Sequence, residues 1–384
     1  MSGIYIHIPF CVKKCSYCDF FSLTDASYQK DFLNALFREM DLRRDYLNGC
    51  HADTLYIGGG TPSVLNPNII ENIISYAKKT FGLNPNAEIT MEANPNNLTE
   101  EYIKQLANTS INRLSIGIQS FFDDNLKVLG RIHSGKQAQN CLELVDKYRF
   151  SNVSIDLMYA YPFLTENQWK ENLEKAKTVN HLSCYSLSLE PRSKLYKQIE
   201  DKTYPPIDEE EMISQHQILT HFAKDNDFIH YETSNFCKSG QFSKHNLAYW
   251  QDKAYIGLGA SAHSFNHISR QWNTADINIY ISQTMSISEG EQWELKGKGI
   301  IFEQELLTPA MRVNEYIMTS LRTIWGCDML YIKNKFVESF YVELIEKIKT
   351  IDSKLYISEN NKLILTEKGS LLADAIACEL MVND

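Results

Sequence analysis

The chain has 384 residues, of which 43% are hydrophobic, and it carries a formal net charge of −10. This length predicts two domains rather than one core. The acidic balance and the lack of a basic tract argue against nucleic-acid binding, and no apolar run is long enough to span a membrane.

Strand-like and helical segments alternate through the first half of the chain. The short apolar runs predict six strands, at residues 4–8, 53–57, 88–92, 113–118, 153–158 and 181–189. The helical patterns between them cover residues 27–48, 66–81, a segment capped by Thr99, 123–129, 135–148 and 166–179. This order predicts six βα units with parallel strands, either in an open doubly wound sheet or in a barrel.

The placement of unusual residues favours the barrel. They come at or just after the end of a predicted strand, and they are Cys11, Gly58–Thr61, Glu92, Gln119 and Asp156. In barrel enzymes this end of the strands carries the active site. We therefore predict an α/β fold with a partial (β/α)6 barrel and an enzyme-like site at its mouth.

The second half of the chain has a different pattern. Pro205-Pro206 marks a break, so we predict one domain at residues 1–200 and a mixed α+β domain at 201–384. Helical patterns cover residues 208–225, 308–324, 333–348 and 367–380, and strand-like pieces cover 229–233, 254–258, 271–272, 354–357 and 362–365. Residues 306–384 therefore predict a winged-helix-like module, and because it lacks a basic recognition helix we expect it to serve packing or partner contact.

Three cysteines, Cys11, Cys15 and Cys18, form a C-x3-C-x2-C motif directly after the first strand. Such spacing is typical of a metal or cluster site. One interpretation is a Cys3His zinc site with His7 or a distant histidine as the fourth ligand. The other is a [4Fe–4S] cluster whose fourth iron is open to an outside molecule. The nine cysteines, an odd number with no secretory signal, argue against disulfides and favour the cytoplasm.

The cysteine motif closely resembles that of the radical S-adenosylmethionine (SAM) superfamily, and Tyr17 before the third cysteine also fits. Gly58-Gly59-Gly60-Thr61 alone could be an ordinary strand-to-helix turn, and it does not match a P-loop. Three glycines also let a backbone approach a ligand closely. In the superfamily a glycine-rich segment after the second strand binds the amino group of SAM, so the resemblance implies that role here.

Further stretches resemble the oxygen-independent coproporphyrinogen III oxidase-like family. They are Tyr5–Cys11, Met91–Pro95, Gly117–Phe121, Leu129–Arg131 and Asp156–Tyr159. The resemblance implies SAM contacts for Tyr5, Glu92, Gln119, Arg131 and Asp156. Each carboxylate alone could be a solvated loop or cap residue. Where the family usually continues with small residues, this chain has Ala160-Tyr161-Pro162-Phe163, so we expect a bulkier loop there.

Two features resemble the heme chaperone (HemW) subgroup of that family. Phe20 stands where the dehydrogenase carries a further cysteine, and Lys244–Trp250 contains the HNxxYW signature. The resemblance implies heme binding within residues 229–272, with His245 as a candidate ligand and Tyr249 and Trp250 as stacking partners. His245 could equally be a core histidine. Lesser candidate ligands are Cys237, His263 and His267.

The resemblance implies a chaperone that holds a [4Fe–4S] cluster and SAM and passes heme to apo-hemoproteins, such as those of the respiratory chain, with at most peripheral membrane contact. Whether SAM is cleaved stays open. Three other interpretations compete with this one: anaerobic decarboxylation of coproporphyrinogen III, nucleic-acid modification by a radical SAM enzyme, and a zinc-stabilised binding module.

Overall fold

The computed structural model of the protein describes residues 2–288 and 301–383. Six parallel strands form the centre of its main sheet, in the spatial order β1 to β6. They are β1 (Ser2–Ile8), β2 (Ala52–Gly59), β3 (Leu83–Ala93), β4 (Arg113–Gln119), β5 (Val153–Tyr159) and β6 (His181–Ser186). Each lies within a few residues of its predicted position.

The side chains of these strands alternate between an apolar and a polar face. Ile4, Ile6 and Ile8 are fully buried against the helices, whereas Tyr5 and His7 contact other polar side chains on the opposite face. Parallel strands covered on both faces are usually apolar throughout. The polar side chains therefore mark the inner face of the sheet, and the predicted partial barrel is confirmed.

Helices connect the strands and cover the apolar face. They are α1 (Gln29–Leu42), α2 (Pro67–Phe81), α3 (Glu100–Leu106), α4 (Asp123–Val128), α5 (Gly135–Lys147) and α6 (Glu166–Ala176). Ser134 and Thr165 begin α5 and α6 with capping boxes, which satisfy backbone donors at each helix start. The predicted helix at 27–48 ends earlier, at Leu42, because the Arg43 side chain enters a buried network and the following residues form turns.

The sheet continues on both sides of the six parallel strands. Beyond β6 lie β7 (Ile229–Glu232) and β8 (Asn235–Cys237), and beyond β1 lie β9 (Ala254–Leu258), β10 (His263–Phe265), β11 (Ser269–Asn273) and β12 (Phe302–Leu306). The intervening helices are α7 (Lys194–Glu200), α8 (Glu209–Asp225), α9 (Lys244–Trp250) and α10 (Ile277–Ser286). The division of the chain at residue 200 stays a prediction, while the sheet itself includes strands from both sides of it.

A buried ion pair attaches this extension to the first helix. The Glu39 carboxylate lies 3.0 Å from Arg43 Nη1 and accepts hydrogen bonds from Asn273 and Tyr280, and both charged side chains are fully buried. Arg43 in turn donates to the Gly257 carbonyl. Buried charges are tolerated when they are paired and hydrogen-bonded in this way.

The C-terminal module has its own small core. It contains α11 (Pro309–Ser320), β13 (Cys327–Asp328), α12 (Met329–Lys335), α13 (Glu338–Ile348), β14 (Tyr356–Glu359), β15 (Lys362–Leu365), α14 (Glu367–Ser370) and α15 (Ala373–Leu380). The hairpin and the flanking helices agree with the predicted winged-helix-like end.

Three helix predictions in this module were too long. The helix that begins at Pro309 ends at Ser320, four residues before the predicted end at 324. The segment 333–348 is two helices, because extended backbone at Phe336 and Val337 interrupts it. The segment 367–380 is also two helices, and Gly369 sits so close to the Leu355 carbonyl that a Cβ would lie 1.9 Å away. Within the described ranges, none of the helices has the length and apolar character needed to cross a bilayer.

Candidate functional site

The cysteine loop is fastened to the barrel at several points. The Leu23 amide donates to the Pro9 carbonyl at 2.7 Å, and the Cys11 amide donates to the Leu23 carbonyl at 2.8 Å, so the loop closes on itself. The Ser16 amide and hydroxyl donate to the carbonyls of Leu129 and Val128, at 3.1 Å and 2.7 Å. The loop is therefore held at the C-terminal end of β1, beside the loop that follows α4.

The three thiols of Cys11, Cys15 and Cys18 are free and partly exposed in this loop. Thr61 Oγ1 donates to Cys11 Sγ and Arg131 Nη1 donates to Cys15 Sγ, each at 3.4 Å. Burial raises the pKa of the Cys11 and Cys18 thiols, whereas nearby donors and a guanidinium favour thiolates. The motif thus presents three ligand-type sulfurs with hydrogen-bond support.

His7 does not offer a free nitrogen to this loop. Its Nε2 atom lies 2.8 Å from the Phe21 carbonyl and its Nδ1 atom lies 3.1 Å from the Tyr5 hydroxyl. The Cys3His zinc interpretation with His7 therefore loses its nearest fourth ligand. Across residues 2–288 and 301–383, no group of three or more His, Cys, Asp or Glu side chains is arranged to hold a single metal ion.

The glycine segment after β2 needs glycine at two positions. Gly59 has φ +109°, and a Cβ there would lie 2.7 Å from the His7 ring. A Cβ on Gly60 would lie 3.0 Å from Cys11 Sγ and 2.8 Å from the Phe10 carbonyl. The turn thus brings bare backbone against the cysteine loop, which is what close approach to a ligand requires.

Glu92 lies under this turn with no cation among its hydrogen-bond partners. Its two carboxylate oxygens accept hydrogen bonds from the Tyr56 hydroxyl at 2.8 Å and from the Gly59 amide at 3.1 Å. Burial, together with the nearby Asp156 carboxylate, raises the pKa of Glu92 to about 7, even though both hydrogen bonds lower it. The group can therefore change its charge near neutral pH.

Arg131 and Gln119 also lie at the mouth of the barrel. Arg131 Nη2 donates to Asn94 Oδ1 at 2.6 Å and to the Gly117 carbonyl at 2.5 Å. The pairing of β4 with β5 shifts between Gly117 and Gln119, and Gln119 has φ +64°, so a bulge sets the direction of this side chain. A Cβ on Gly117 would meet Gln119 Nε2 at 3.1 Å and Arg131 Nη2 at 3.2 Å.

Asp156, Tyr5 and Tyr17 complete the predicted SAM-binding set. Asp156 accepts a hydrogen bond from Ser115 at 3.1 Å, and burial raises the pKa of its carboxyl group. The pKa of the Tyr17 hydroxyl is also raised by burial, and the Arg131 guanidinium beside it opposes that shift. The structure therefore brings Tyr17, Glu92, Arg131 and Asp156 together at the mouth. Tyr5 lies deeper in the barrel, where its ring stacks on Tyr56 at 6.1 Å and on His245 at 6.5 Å. The contacts of the predicted set with SAM stay predictions.

The bulky loop after β5 forms a wall beside the mouth. Ala160 and Phe163 have φ values of +56° and +71°. Tyr161 is buried, whereas Phe163 is exposed and packs edge-on against Tyr204 with the ring centroids 5.3 Å apart. These residues line a cavity of about 710 Å³ together with Pro205 and Pro206 of the proline break.

His245 lies at the opposite end of the barrel from the cysteines. It begins α9 beneath the first residues of β1 and β2, where its Nδ1 atom lies 2.8 Å from Thr54 Oγ1. Its Nε2 atom lies 2.9 Å from the Tyr249 hydroxyl, and its ring stacks on Tyr56 at 5.0 Å. Burial lowers the pKa of His245 to about 3, so the imidazole is neutral. In this conformation both ring nitrogens have protein partners.

The other heme candidates are scattered, and His263 lies close enough to His7 for the two side chains to interact electrostatically. Trp250 lies under the Arg322 guanidinium at 5.7 Å. Cys237 is buried in β8, His263 is an exposed residue at the start of β10, and His267 lies 3.8 Å from the Asp252 carboxylate. These residues do not converge with His245 on one ligand position. Their roles stay predictions.

Sequence reasoning missed the residues that support the site. Tyr56 holds Glu92 and stacks on His245, and Asn94 bonds both Arg131 and Thr61. Asn94 lies within the Met91–Pro95 stretch, but its uncharged side chain gave no separate indication of a role in the site. Tyr56 could have been found from its polar position within an otherwise apolar strand.

Comparison with known proteins places these observations among named relatives. Residues 5–176 match the family model of the radical SAM superfamily. A protein named heme chaperone HemW from Lactococcus lactis is 30% identical, covering 100% of this chain and 98% of the relative. The HemW proteins of Bacillus subtilis and Escherichia coli are 30% and 35% identical, over 98% and 68% of this chain and 98% and 69% of theirs.

A solved structure has a similar fold. The coproporphyrinogen III oxidase of Escherichia coli, a radical SAM enzyme, superimposes with a TM-score of 0.83 at 22% identity, covering 99% of this chain and 90% of the enzyme. At this identity the likeness concerns the fold alone. It extends over the barrel, the sheet extension and the C-terminal module.

Proposed function

Because this chain belongs to the radical SAM superfamily and, within it, to the heme chaperone HemW family, we propose that it binds heme and delivers it to apo-hemoproteins. The observation that carries this proposal is the match to proteins named heme chaperones over nearly the full length of both chains. A shared barrel alone would not distinguish a chaperone from an enzyme.

Cys11, Cys15 and Cys18 would hold a [4Fe–4S] cluster. The fit is supported by three free, partly exposed thiols in one fastened loop and by the bare backbone of Gly60 against Cys11 Sγ. Three thiolates leave one iron of such a cluster without a protein ligand. When bound, the reduced cluster supplies electrons to SAM. The protein's part is to position the cofactors and limit solvent access.

The residues at the mouth would bind SAM through matched charges. Glu92 suits the amine and sulfonium, which are positive, and Arg131 suits the carboxylate, which a guanidinium can bind bidentately. Gln119 and Asp156 suit the ribose hydroxyls. The remaining members of the proposed SAM set are Tyr5, Tyr17, Gly58, Gly59, Gly60 and Thr61.

Heme would bind near α9, within residues 229–272, with His245 as the candidate ligand. A neutral imidazole is a common heme ligand, and the aromatic rings of Tyr249 and Trp250 lie in the same helix. For iron to reach Nε2, the hydrogen bond to Tyr249 must break first. Burial keeps the His245 imidazole neutral, which is the form that binds iron, so His245 is the proposed ligand.

The acceptors would be apo-hemoproteins of the respiratory chain. We expect the protein to act in the cytoplasm, with any membrane contact being peripheral, and the C-terminal domain at 201–384 to carry the acceptor contacts. Its net charge of −10 gives no support to a nucleic-acid partner.

A transfer experiment tests this function. Anaerobically reconstituted protein is loaded with one equivalent of heme and mixed with the apo-form of a b-type cytochrome, with and without SAM. We expect transfer to be faster than spontaneous heme release, which is measured separately with an excess of a heme scavenger. Transfer no faster than that release would contradict a chaperone role.

A parallel assay addresses coproporphyrinogen III decarboxylation. The same protein, reduced and supplied with SAM and coproporphyrinogen III, is expected to release no carbon dioxide, because Phe20 occupies the position of the dehydrogenase's further cysteine. Formation of protoporphyrinogen IX would replace the chaperone proposal with the enzyme.

A further inference from the structure

His245 is held between two hydroxyl groups. Thr54 Oγ1 lies 2.8 Å from Nδ1 and the Tyr249 hydroxyl lies 2.9 Å from Nε2, while the residue is only 1% exposed. A neutral imidazole has one N–H group and one lone pair in the plane of its ring. The nitrogen that offers the lone pair can accept one hydrogen bond or bind one metal ion, but not both.

We propose that Tyr249 is a removable cap on His245, so that the Tyr249 hydroxyl and heme iron compete for the lone pair of Nε2. This inference rests on the proposed binding of heme at His245. In the tautomer that carries its proton on Nδ1, the Tyr249 hydroxyl donates to Nε2; on heme binding this hydrogen bond breaks, the iron–Nε2 bond forms, and the proton stays on the tyrosine oxygen. The Nδ1–H group continues to donate to Thr54, which fixes the tautomer and the ring orientation that a metal requires.

The space around Tyr249 supports a closed state. A cavity of about 220 Å³ adjoins the residue, and its walls include Trp250, Phe265 and Arg270. Ligand pockets for molecules of drug size usually measure about 300–1,000 Å³, so this cavity is smaller than the usual pocket for such a ligand. Movement of the Tyr249 ring would both free Nε2 and enlarge this cavity.

The walls of the cavity also match the chemistry of heme. Trp250 and Phe265 contribute aromatic rings to these walls. Guanidinium groups now lie over both rings, Arg322 over Trp250 and Arg270 and Arg312 over Phe265, and a macrocycle would take their place. Arg270 offers a guanidinium for a carboxylate at the porphyrin edge, at present paired with Glu315. Tyr249 both lines this cavity and bonds His245 Nε2, so movement of its ring would open the imidazole toward these walls.

A cap of this kind has a kinetic consequence. If opening precedes binding, the observed association rate rises with heme concentration and then reaches a plateau set by the opening step. The apparent affinity is reduced by the fraction of molecules that are open. Removing the hydroxyl while keeping the ring should therefore raise both the plateau rate and the affinity.

The test uses the full-length protein and ferric heme as the probe, followed by stopped-flow absorbance. Tyr249→Phe is expected to raise the plateau rate and the apparent affinity about 2- to 10-fold, the range that loss of one net hydrogen bond allows. The matched control is Tyr102→Phe, which removes a hydroxyl that donates to the Leu65 carbonyl, outside this cavity. We expect it to behave as the wild type does. His245→Ala is expected to lose the histidine-ligated heme spectrum.

The possible results distinguish failure of the Tyr249 cap from failure of the proposed heme-binding function. If Tyr249→Phe and Tyr102→Phe both bind heme as the wild type does, while His245→Ala loses the spectrum, the cap is refuted and His245 stays the ligand. An unchanged spectrum in His245→Ala would refute the cap and the ligand together, leaving heme carriage at another site. Absence of heme binding in the wild type would overturn the proposed function itself.

Discussion

Strand β3 carries two glutamates in two different settings. Glu88 lies toward the N-terminal end of the barrel, where it accepts hydrogen bonds from the amides of Lys244 and His245 and pairs with Arg113 at 3.9 Å. Glu92 lies at the mouth, where it accepts hydrogen bonds from two neutral groups, the Tyr56 hydroxyl and the Gly59 amide. Both residues are on the inner face, four positions apart.

This difference in partners distinguishes a structural carboxylate, Glu88, from a carboxylate suited to binding a positively charged ligand, Glu92. Glu88 has a buried cation and two backbone donors, so its charge is compensated within the protein. Glu92 faces the Asp156 carboxylate, and its pKa is raised to about 7. A positively charged ligand would supply the compensation that Glu92 lacks. Perturbed carboxylates of this kind often mark functional sites.

The largest expected effect comes from a substitution at the mouth of the barrel, and we expect it to be confined to the mouth. Cys15→Ala removes one of three cluster thiolates, so we expect complete loss of cluster assembly, measured by iron content and visible absorbance after reconstitution. Because His245 lies at the other end of the barrel, heme binding should persist. A Cys15→Ala protein with an intact cluster would refute the ligand assignment, and Cys378→Ala, which changes an exposed cysteine outside the motif, serves as the control.

The next largest effect compares the two glutamates directly. Glu88→Ala leaves Arg113 buried without its partner and uncaps α9, so we expect a loss of about 3–5 kcal/mol in the free energy of unfolding. Glu92→Gln removes a carboxylate whose charged form is already disfavoured, and it should be neutral or stabilising at pH 8. Urea denaturation of both variants measures the change in the free energy of unfolding. An equal loss in the free energy of unfolding in both variants would contradict the distinction between Glu88 and Glu92.

A pH series sharpens the same comparison. Below its folded pKa of about 7, Glu92 is protonated and cannot attract a cation, so SAM should bind about tenfold more weakly at pH 6 than at pH 8. Glu92→Gln should remove this component of the pH dependence. Titration calorimetry on the reconstituted protein measures the affinity, and the same steep dependence in the variant would assign it to another group.

The raised pKa of Glu92 also affects the stability of the fold, in the opposite direction. SAM affinity is expected to rise with pH, whereas this contribution to stability falls. The folded pKa of about 7 lies above the ordinary value of 4.5, so the stability that this group contributes is present below pH 4.5 and is lost as the pH rises through about 7. Urea denaturation of the cluster-free protein across this window should show a shallower decline for Glu92→Gln than for the wild type. Parallel curves would contradict the assignment.

The smallest expected effect concerns the residue between the two ends. Tyr56→Phe keeps the ring that stacks on His245 but removes the hydroxyl that bonds Glu92. Because that bond favours the charged carboxylate, its loss should raise the pKa of Glu92 further and weaken SAM binding at pH 7 by a few-fold. An unchanged midpoint in the pH dependence of SAM affinity would show that the hydroxyl does not tune the carboxylate.

Much of the barrel was predictable because its strands are short apolar runs and its mouth residues follow the strand ends. The cysteines, Glu92 and Asp156 carry their chemistry in their residue types. The setting of His245 was not predictable, because its partner Thr54 lies 191 positions away in the chain. The helices of the C-terminal module break at the extended backbone of Phe336 and at Leu371-Leu372, between α14 and α15. These are tertiary effects that periodicity does not record.

The proposed arrangement of cluster and heme at opposite ends of the barrel is tested most directly by one heme titration. The wild type, Cys15→Ala and His245→Ala proteins are titrated anaerobically with heme and followed by Soret absorbance. The account predicts one equivalent bound by the wild type and by Cys15→Ala, and loss of the histidine-ligated spectrum only in His245→Ala. Binding that depends on Cys15 and not on His245 would place heme at the mouth and contradict the account.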